Sequence, residues 1–88
     1  MLERLKNILG VSDDADLESI IARGKAYLEG LAGATLDFEA EGLPRSLLLD
    51  FCRYSYNNAS EYFEENFAKE ILRMQLQAAV IDYVENQV

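Results

Sequence analysis

The chain has 88 residues, which is enough for one small domain with a single hydrophobic core. Its 16 acidic residues against 8 basic ones leave a net charge of −8, which argues against a sequence-independent grip on nucleic acid and against docking on anionic membranes. The one cysteine excludes an internal disulfide, and the absence of histidine removes the commonest general base and the commonest metal ligand.

The first two predicted elements are helices. Apolar residues recur every three or four positions over residues 2–9 and predict a short helix that Gly10 ends. A longer apolar stripe over residues 14–31 predicts a second helix, which opens on acidic residues suited to a helix N-terminus. Gly24 lies within this stripe, where glycine costs up to ~1 kcal/mol relative to alanine. We therefore expect another helix to approach closely at Gly24.

The next segment changes character. Over residues 34–39, Leu36 and Phe38 alternate with polar residues, which indicates an extended segment or a short strand. A single strand cannot form a sheet, so a strand here would have to pair with a second strand, such as one from another copy of the chain. Gly42 and Pro44 then mark the start of another helix.

From Pro44, apolar residues three or four positions apart continue as far as Phe63 and predict one helix of about 20 residues. Asn57 and Asn58 are poor helix formers and would suit a break. The apolar register continues through both asparagines, so the sequence favours one continuous helix.

A further helix is expected from Phe67 to about residue 75. Beyond it the pattern supports two readings. The apolar residues suit a continued helix, whereas the alternation of Leu76, Ala78 and Val80 suits a strand. The structure of residues 77–88 therefore stays open.

Together these elements predict an all-α fold. It is a small bundle of about four helices with a short extended segment near residues 34–39 and a C-terminal tail of unsettled structure. Residues 1–88 are expected to form a single domain. No apolar run reaches the length needed to span a bilayer, and the N-terminus lacks the apolar run and cleavage site of a signal peptide. We expect a soluble, cytoplasmic protein.

The residues that could carry out catalysis or bind a metal are expected to have structural roles instead. Cys52 lies on the apolar side of its helix with no base arranged to lower its pKa, so a core thiol is expected. The acidic run at 13–18 lacks the glycine and the final glutamate of a calcium loop, so it is interpreted as a helix N-terminus. Glu61, Glu64 and Glu65 are interpreted as a solvated helix face rather than a carboxylate pair. We expect no catalytic residue, metal site or cofactor, and no enzymatic activity.

Two segments carry a resemblance to a known family. "MLERLKNILGVSDDADLESIIARGKAYLEGLAG" has a short helix, a leucine–glycine pair, an acidic turn, and a helix that ends in an aromatic residue, a leucine and a glycine. "LPRSLLLDFCRYSYNNASEYFEENFAKEILRMQL" runs from a proline-started helix into a segment rich in tyrosine and asparagine. Over roughly residues 1–76 this pattern resembles the head–tail connector, or adaptor, proteins of long-tailed bacteriophages and prophages.

The resemblance implies a structural virion protein. Its copies would form a homo-oligomeric ring below the portal protein at the head–tail junction, after assembly in the host cytoplasm. The ring would extend the DNA channel and dock stopper or tail-completion proteins. DNA would pass without specific binding, which suits an acidic channel that repels phosphates.

Particular residues are candidates for these contacts. The three tyrosines of 53–62 point to different sides of their helix, so they either form an interface or are partly buried. The candidates for the contact between subunits are Tyr54, Tyr56, Tyr62, Leu36 and Phe38. In the family the C-terminal segment commonly helps to grip the portal, so the resemblance makes Val80, Tyr83, Val84 and Val88 the candidates for the portal contact.

An alternative from another class is a small acidic phage regulator that binds a host protein, in one form as a DNA mimic. The net charge of −8 fits this class of protein equally well. A mimic would present carboxylates in two rows at phosphate-like spacing. The acidic residues cluster instead at 13–18, 37–41 and 61–65, with no double row evident in the sequence.

Overall fold

The computed structural model describes the backbone of residue 7 and residues 14–86, and the side chains of residue 7 and residues 16–81. Within these residues the chain forms four α-helices and one 3-10 turn, with no β-strand, so the expected all-α bundle is confirmed. The elements in chain order are α1 (Asp14–Ala32), α2 (Leu43–Tyr56), the 3-10 turn (Ser60–Tyr62), α3 (Phe63–Asn66) and α4 (Ala68–Asn86). The helix expected over 2–9 lies outside the described residues.

The contact between α1 and α2 depends on Gly24. A Cβ atom at this position would lie 2.7 Å from Leu48 Cδ1 and 2.8 Å from Phe51 Cδ1, closer than real Cβ contacts. Leu48 is fully buried and Phe51 is 9% exposed, so both atoms belong to the core. The expected close approach of another helix at Gly24 is therefore confirmed.

Gly33 ends α1 in a left-handed conformation, with φ of 69°, and its N–H donates to the Glu29 carbonyl at 2.9 Å. Such a conformation favours glycine, because it has no Cβ atom to clash. The Glu29 carboxylate accepts a hydrogen bond from the Leu36 N–H at 2.8 Å. This bond ties the following loop back to the end of α1.

The loop at 34–42 preserves the expected alternation but pairs with no strand in the described part of the chain. Phe38 is 5% exposed and lies in the core, whereas Asp37 and Glu39 face solvent. Asp37 Oδ1 accepts hydrogen bonds from the backbone N–H groups of Glu39 and Ala40, at 3.0 and 3.3 Å. This turn bends the backbone, which explains why the segment packs on its own core and does not extend as a strand.

The expectation of one continuous helix through Asn57 and Asn58 is wrong, because α2 ends at Tyr56. The Asn57 side-chain amide donates to the Arg53 carbonyl at 2.9 Å, and Asn58 takes a left-handed conformation with φ of 57°. Asparagine side chains compete for helical backbone groups, and asparagine tolerates this conformation better than most residues. The local chemistry therefore overrides the apolar register.

The C-terminal segment that the sequence left open is helical, since α4 extends to Asn86. Ile71, Met74 and Ala78 are 8%, 1% and 7% exposed and form its buried side. Their spacing of three and four residues sets a helical register against the core. The alternation that suggested a strand has no partner in the described part of the chain.

An aromatic cluster joins three of the helices. Phe63, at the start of α3, is fully buried. Its ring centroid lies 6.3 Å from that of Tyr27 in α1, 5.5 Å from Phe51 and 6.0 Å from Tyr54 in α2, and 5.0 Å from Phe67. These distances are typical of favourable aromatic pairs. The short α3 is therefore held by one side chain among four rings.

Candidate interaction surfaces

The three tyrosines proposed for the interface separate into two groups. Tyr54 is partly buried, its ring packs edge-on against Phe63 and Phe67, and its hydroxyl accepts a hydrogen bond from Asn66 Nδ2 at 2.9 Å. Tyr56 and Tyr62 are 40% and 54% exposed. Tyr54 therefore serves the core, and the other two tyrosines remain available to a partner.

The two exposed tyrosines lie on either side of the turn at residues 57–59, in an acidic part of the chain. Glu61 and Glu65 are exposed beside them in sequence. We group four exposed residues of this stretch by their nearness in sequence, Tyr56, Glu61, Tyr62 and Glu65, and call them the tyrosine patch. It combines large apolar rings with polar hydroxyl tips and two carboxylates, a combination suited to protein contacts.

The two interface candidates in the loop are used within the chain. Phe38 lies in the core, and Leu36 is partly buried against it. Leu36 also lines a groove of about 680 Å³ between the loop and α4, with Met74 and Ile81 on the opposite wall. Asp37 also lines this groove.

A surface that the sequence did not single out lies on α4. Leu72 and Leu76 are 56% and 59% exposed. Their apolar side chains therefore gain little of the favourable free energy that burial would give. Lys69 and Arg73 are also exposed. Positions 69, 72, 73 and 76 are spaced as one side of a helix. We call Lys69, Leu72, Arg73 and Leu76 the α4 face.

The sequence shows that some apolar residues of α4 must be exposed, but not which ones. The helix carries more apolar residues than one buried side can hold, because Ile71 and Met74 already fill the core side. Leu72 and Leu76 follow those residues by one and two positions and must point elsewhere.

Three of the four candidates for the portal contact belong to the C-terminal part of α4. Val80 is 62% exposed, one turn beyond Leu76. Tyr83 and Val84 belong to α4, but their side chains lie outside the described part. Val88 lies wholly outside it.

Buried ionisable groups have structural roles. Cys52 is fully buried, and burial raises the pKa of its thiol to about 12 despite the nearby positive charge of Arg23. This confirms the expected core thiol.

Tyr27 donates a hydrogen bond to the Glu64 carboxylate. Burial, followed by this hydrogen bond and by the negative charge of Glu64, raises the pKa of Tyr27 above its ordinary range.

Asp50 has mixed surroundings. Partial burial raises the pKa of its carboxyl, the Arg53 guanidinium at 3.0 Å lowers it, and the negative charge of Glu70 raises it.

The described side chains contain no group of three or more histidine, cysteine or acidic residues that could hold a metal ion. Among the helices searched, none is both long and apolar enough to cross a bilayer.

Comparison of the chain with family models, with curated proteins and with solved structures gives no match.

Proposed function

We propose that this chain is a structural phage protein, a head–tail connector whose copies form a ring below the portal. The ring extends the DNA channel and docks stopper or tail-completion proteins. The observation that carries this proposal is the presence of two different exposed surfaces, the α4 face and the tyrosine patch, on one small chain. A ring subunit needs two such surfaces, because each contact joins different parts of neighbouring copies.

The size and the charge of the chain support the same function. A domain of 88 residues buries a modest share of its surface alone and gains stability from assembly. A net charge of −8 suits the wall of a channel, since DNA should pass without being held.

The proposed portal contact is the end of α4. Val80 exposes an apolar side chain there, and Tyr83, Val84 and Val88 follow it in sequence. A portal surface that covers these residues would remove apolar area from water, the main favourable term in most protein association.

The test is a pull-down of the tagged chain from cells that produce the phage or prophage, with partners identified by mass spectrometry. We expect portal and tail-completion proteins in the eluate. Val80→Glu should remove the portal protein, whereas Gln77→Glu, which adds the same charge at another exposed position of α4, should retain it. Recovery of a single host enzyme without virion proteins would overturn the proposal in favour of the acidic regulator.

A further inference from the structure

We propose that the contact between neighbouring copies joins the α4 face of one copy to the tyrosine patch of the next. This inference rests on the proposed ring assembly, for which it names the two surfaces that meet.

The chemistry of the α4 face limits what can cover it. Leu72 and Leu76 need an apolar partner surface, and both are more than half exposed in the single chain. Lys69 and Arg73 lie on the same side of the helix and need carboxylates or aromatic rings opposite them. The partner surface must therefore be apolar and acidic at once.

The tyrosine patch has this chemistry. Tyr56 and Tyr62 supply apolar rings, and Glu61 and Glu65 supply exposed carboxylates. Tyrosine and arginine are also enriched among the residues that contribute most to binding energy at protein interfaces. The chain therefore carries both halves of one complementary contact.

Charge favours this pairing over other contacts between copies. Two chains of net charge −8 repel each other, so a stable contact must place opposite charges together locally. The α4 face brings two bases, and the tyrosine patch brings two acids. We take the contact to be heterologous, as a ring requires, so that an open assembly keeps one free surface of each kind at its ends.

A mixing experiment tests the pairing with the full-length purified chain. Leu72→Glu/Leu76→Glu disables the α4 face, and Tyr56→Glu/Tyr62→Glu disables the tyrosine patch. In sedimentation equilibrium the apparent mass of the wild-type protein should rise with concentration. Each variant alone should associate at least about tenfold more weakly than the wild type. An equimolar mixture of the variants should form a dimer that grows no further, because it contains one intact pair of surfaces.

Charge reversal supplies the second arm. Lys69→Glu/Arg73→Glu should abolish association of that variant alone. A mixture with Glu61→Lys/Glu65→Lys should restore an assembly that grows beyond a dimer, because both kinds of contact in the mixture join opposite charges. All exchanged residues are exposed, so circular dichroism and thermal melting should show the wild-type helix content and stability. Rescue in both mixtures supports the contact.

Three results would overturn the contact: a wild-type chain that is monomeric at about 1 mM, a variant that associates like the wild type, or mixtures without rescue. If virion proteins are still recovered in the pull-down, the failed contact leaves the connector function intact. If rescue occurs but no virion proteins are recovered, the self-contact holds and the connector function fails.

Discussion

Replacing Gly24 by alanine sets two known effects against each other. Alanine is a better helix former than glycine by about 1 kcal/mol, so the substitution stabilises a helix that has room for the methyl group. Here the new Cβ atom would lie 2.7 Å from Leu48 Cδ1, 2.8 Å from Phe51 Cδ1 and 3.2 Å from Phe51 Cε1. Carbon atoms pack favourably at about 3.5–4.0 Å, so the neighbours must move by several tenths of an ångström or more.

The neighbours have little freedom to move. Leu48 is fully buried, and the Phe51 ring packs against Tyr27 at 5.2 Å and against Phe63 at 5.5 Å. Overpacking of this kind costs about 1–3 kcal/mol, which exceeds the gain in helix propensity. Subtracting the gain of about 1 kcal/mol from this cost, we expect Gly24→Ala to lower the free energy of unfolding by up to about 2 kcal/mol.

Urea denaturation followed by circular dichroism measures this change, and Gly30→Ala is the matched control. Gly30 lies in the same helix, but a Cβ atom there would meet nothing within 4 Å. We expect Gly30→Ala to stabilise the protein by up to about 1 kcal/mol. If Gly24→Ala is as stable as Gly30→Ala, the assigned close approach of α1 and α2 is incorrect.

Three further predictions concern the core. Phe63→Ala should lower the free energy of unfolding by about 3–5 kcal/mol, because the ring is fully buried, whereas exposed Tyr62→Ala should change it by less than about 0.5 kcal/mol in the same urea experiment. Cys52 should resist alkylation by iodoacetamide at pH 8 in the native protein and react once urea unfolds it, and rapid native labelling would contradict the burial of the thiol. Since the folded state raises the pKa of Tyr27, the native chain holds this proton more tightly than the unfolded one, so stability should fall as pH rises above about 10. Tyr27→Phe should reduce that fall in urea titrations at pH 9–11, and an unchanged pH dependence would count against the assigned role.

The sequence predicted α1 well because a single apolar stripe and a single packing side coincide there. It failed at Asn57 and Asn58, where the amide of one residue and the left-handed backbone of the other outweigh an apolar register that runs on to Phe63. The loop at 34–42 shows an intermediate case. Burial of Phe38 followed the alternation, but the turn at Asp37 depends on hydrogen bonds that periodicity does not encode.

The exposure of the candidate interface residues was predicted only in part. Tyr56 and Tyr62 are exposed, as an interface requires, but Tyr54 and Phe38 pack inside the chain. Periodicity places residues around a helix without saying which side meets the core. It therefore could not separate one tyrosine from another, or assign Leu72 to the outer side of α4.

A helix that is apolar on two sides presents the folding chain with a second way to pack. If α4 rotated about its axis, Leu72 and Leu76 would enter the core in place of Met74 and Ala78. That arrangement would also pull Lys69 and Arg73 towards the interior, where an uncompensated charge is strongly unfavourable.

The native rotation is secured further by Gln75, whose side-chain amide donates to the Leu31 carbonyl at 2.9 Å at the edge of the core. Such a bond contributes about 0.5–1.5 kcal/mol to the preference for the native rotation of α4. The cost of burying the two charges contributes the larger part of that preference. Lys69 and Arg73 therefore oppose misfolding as well as serving a contact with a second copy. They disfavour the rotation of α4 that would bury Leu72 and Leu76 while no partner covers them.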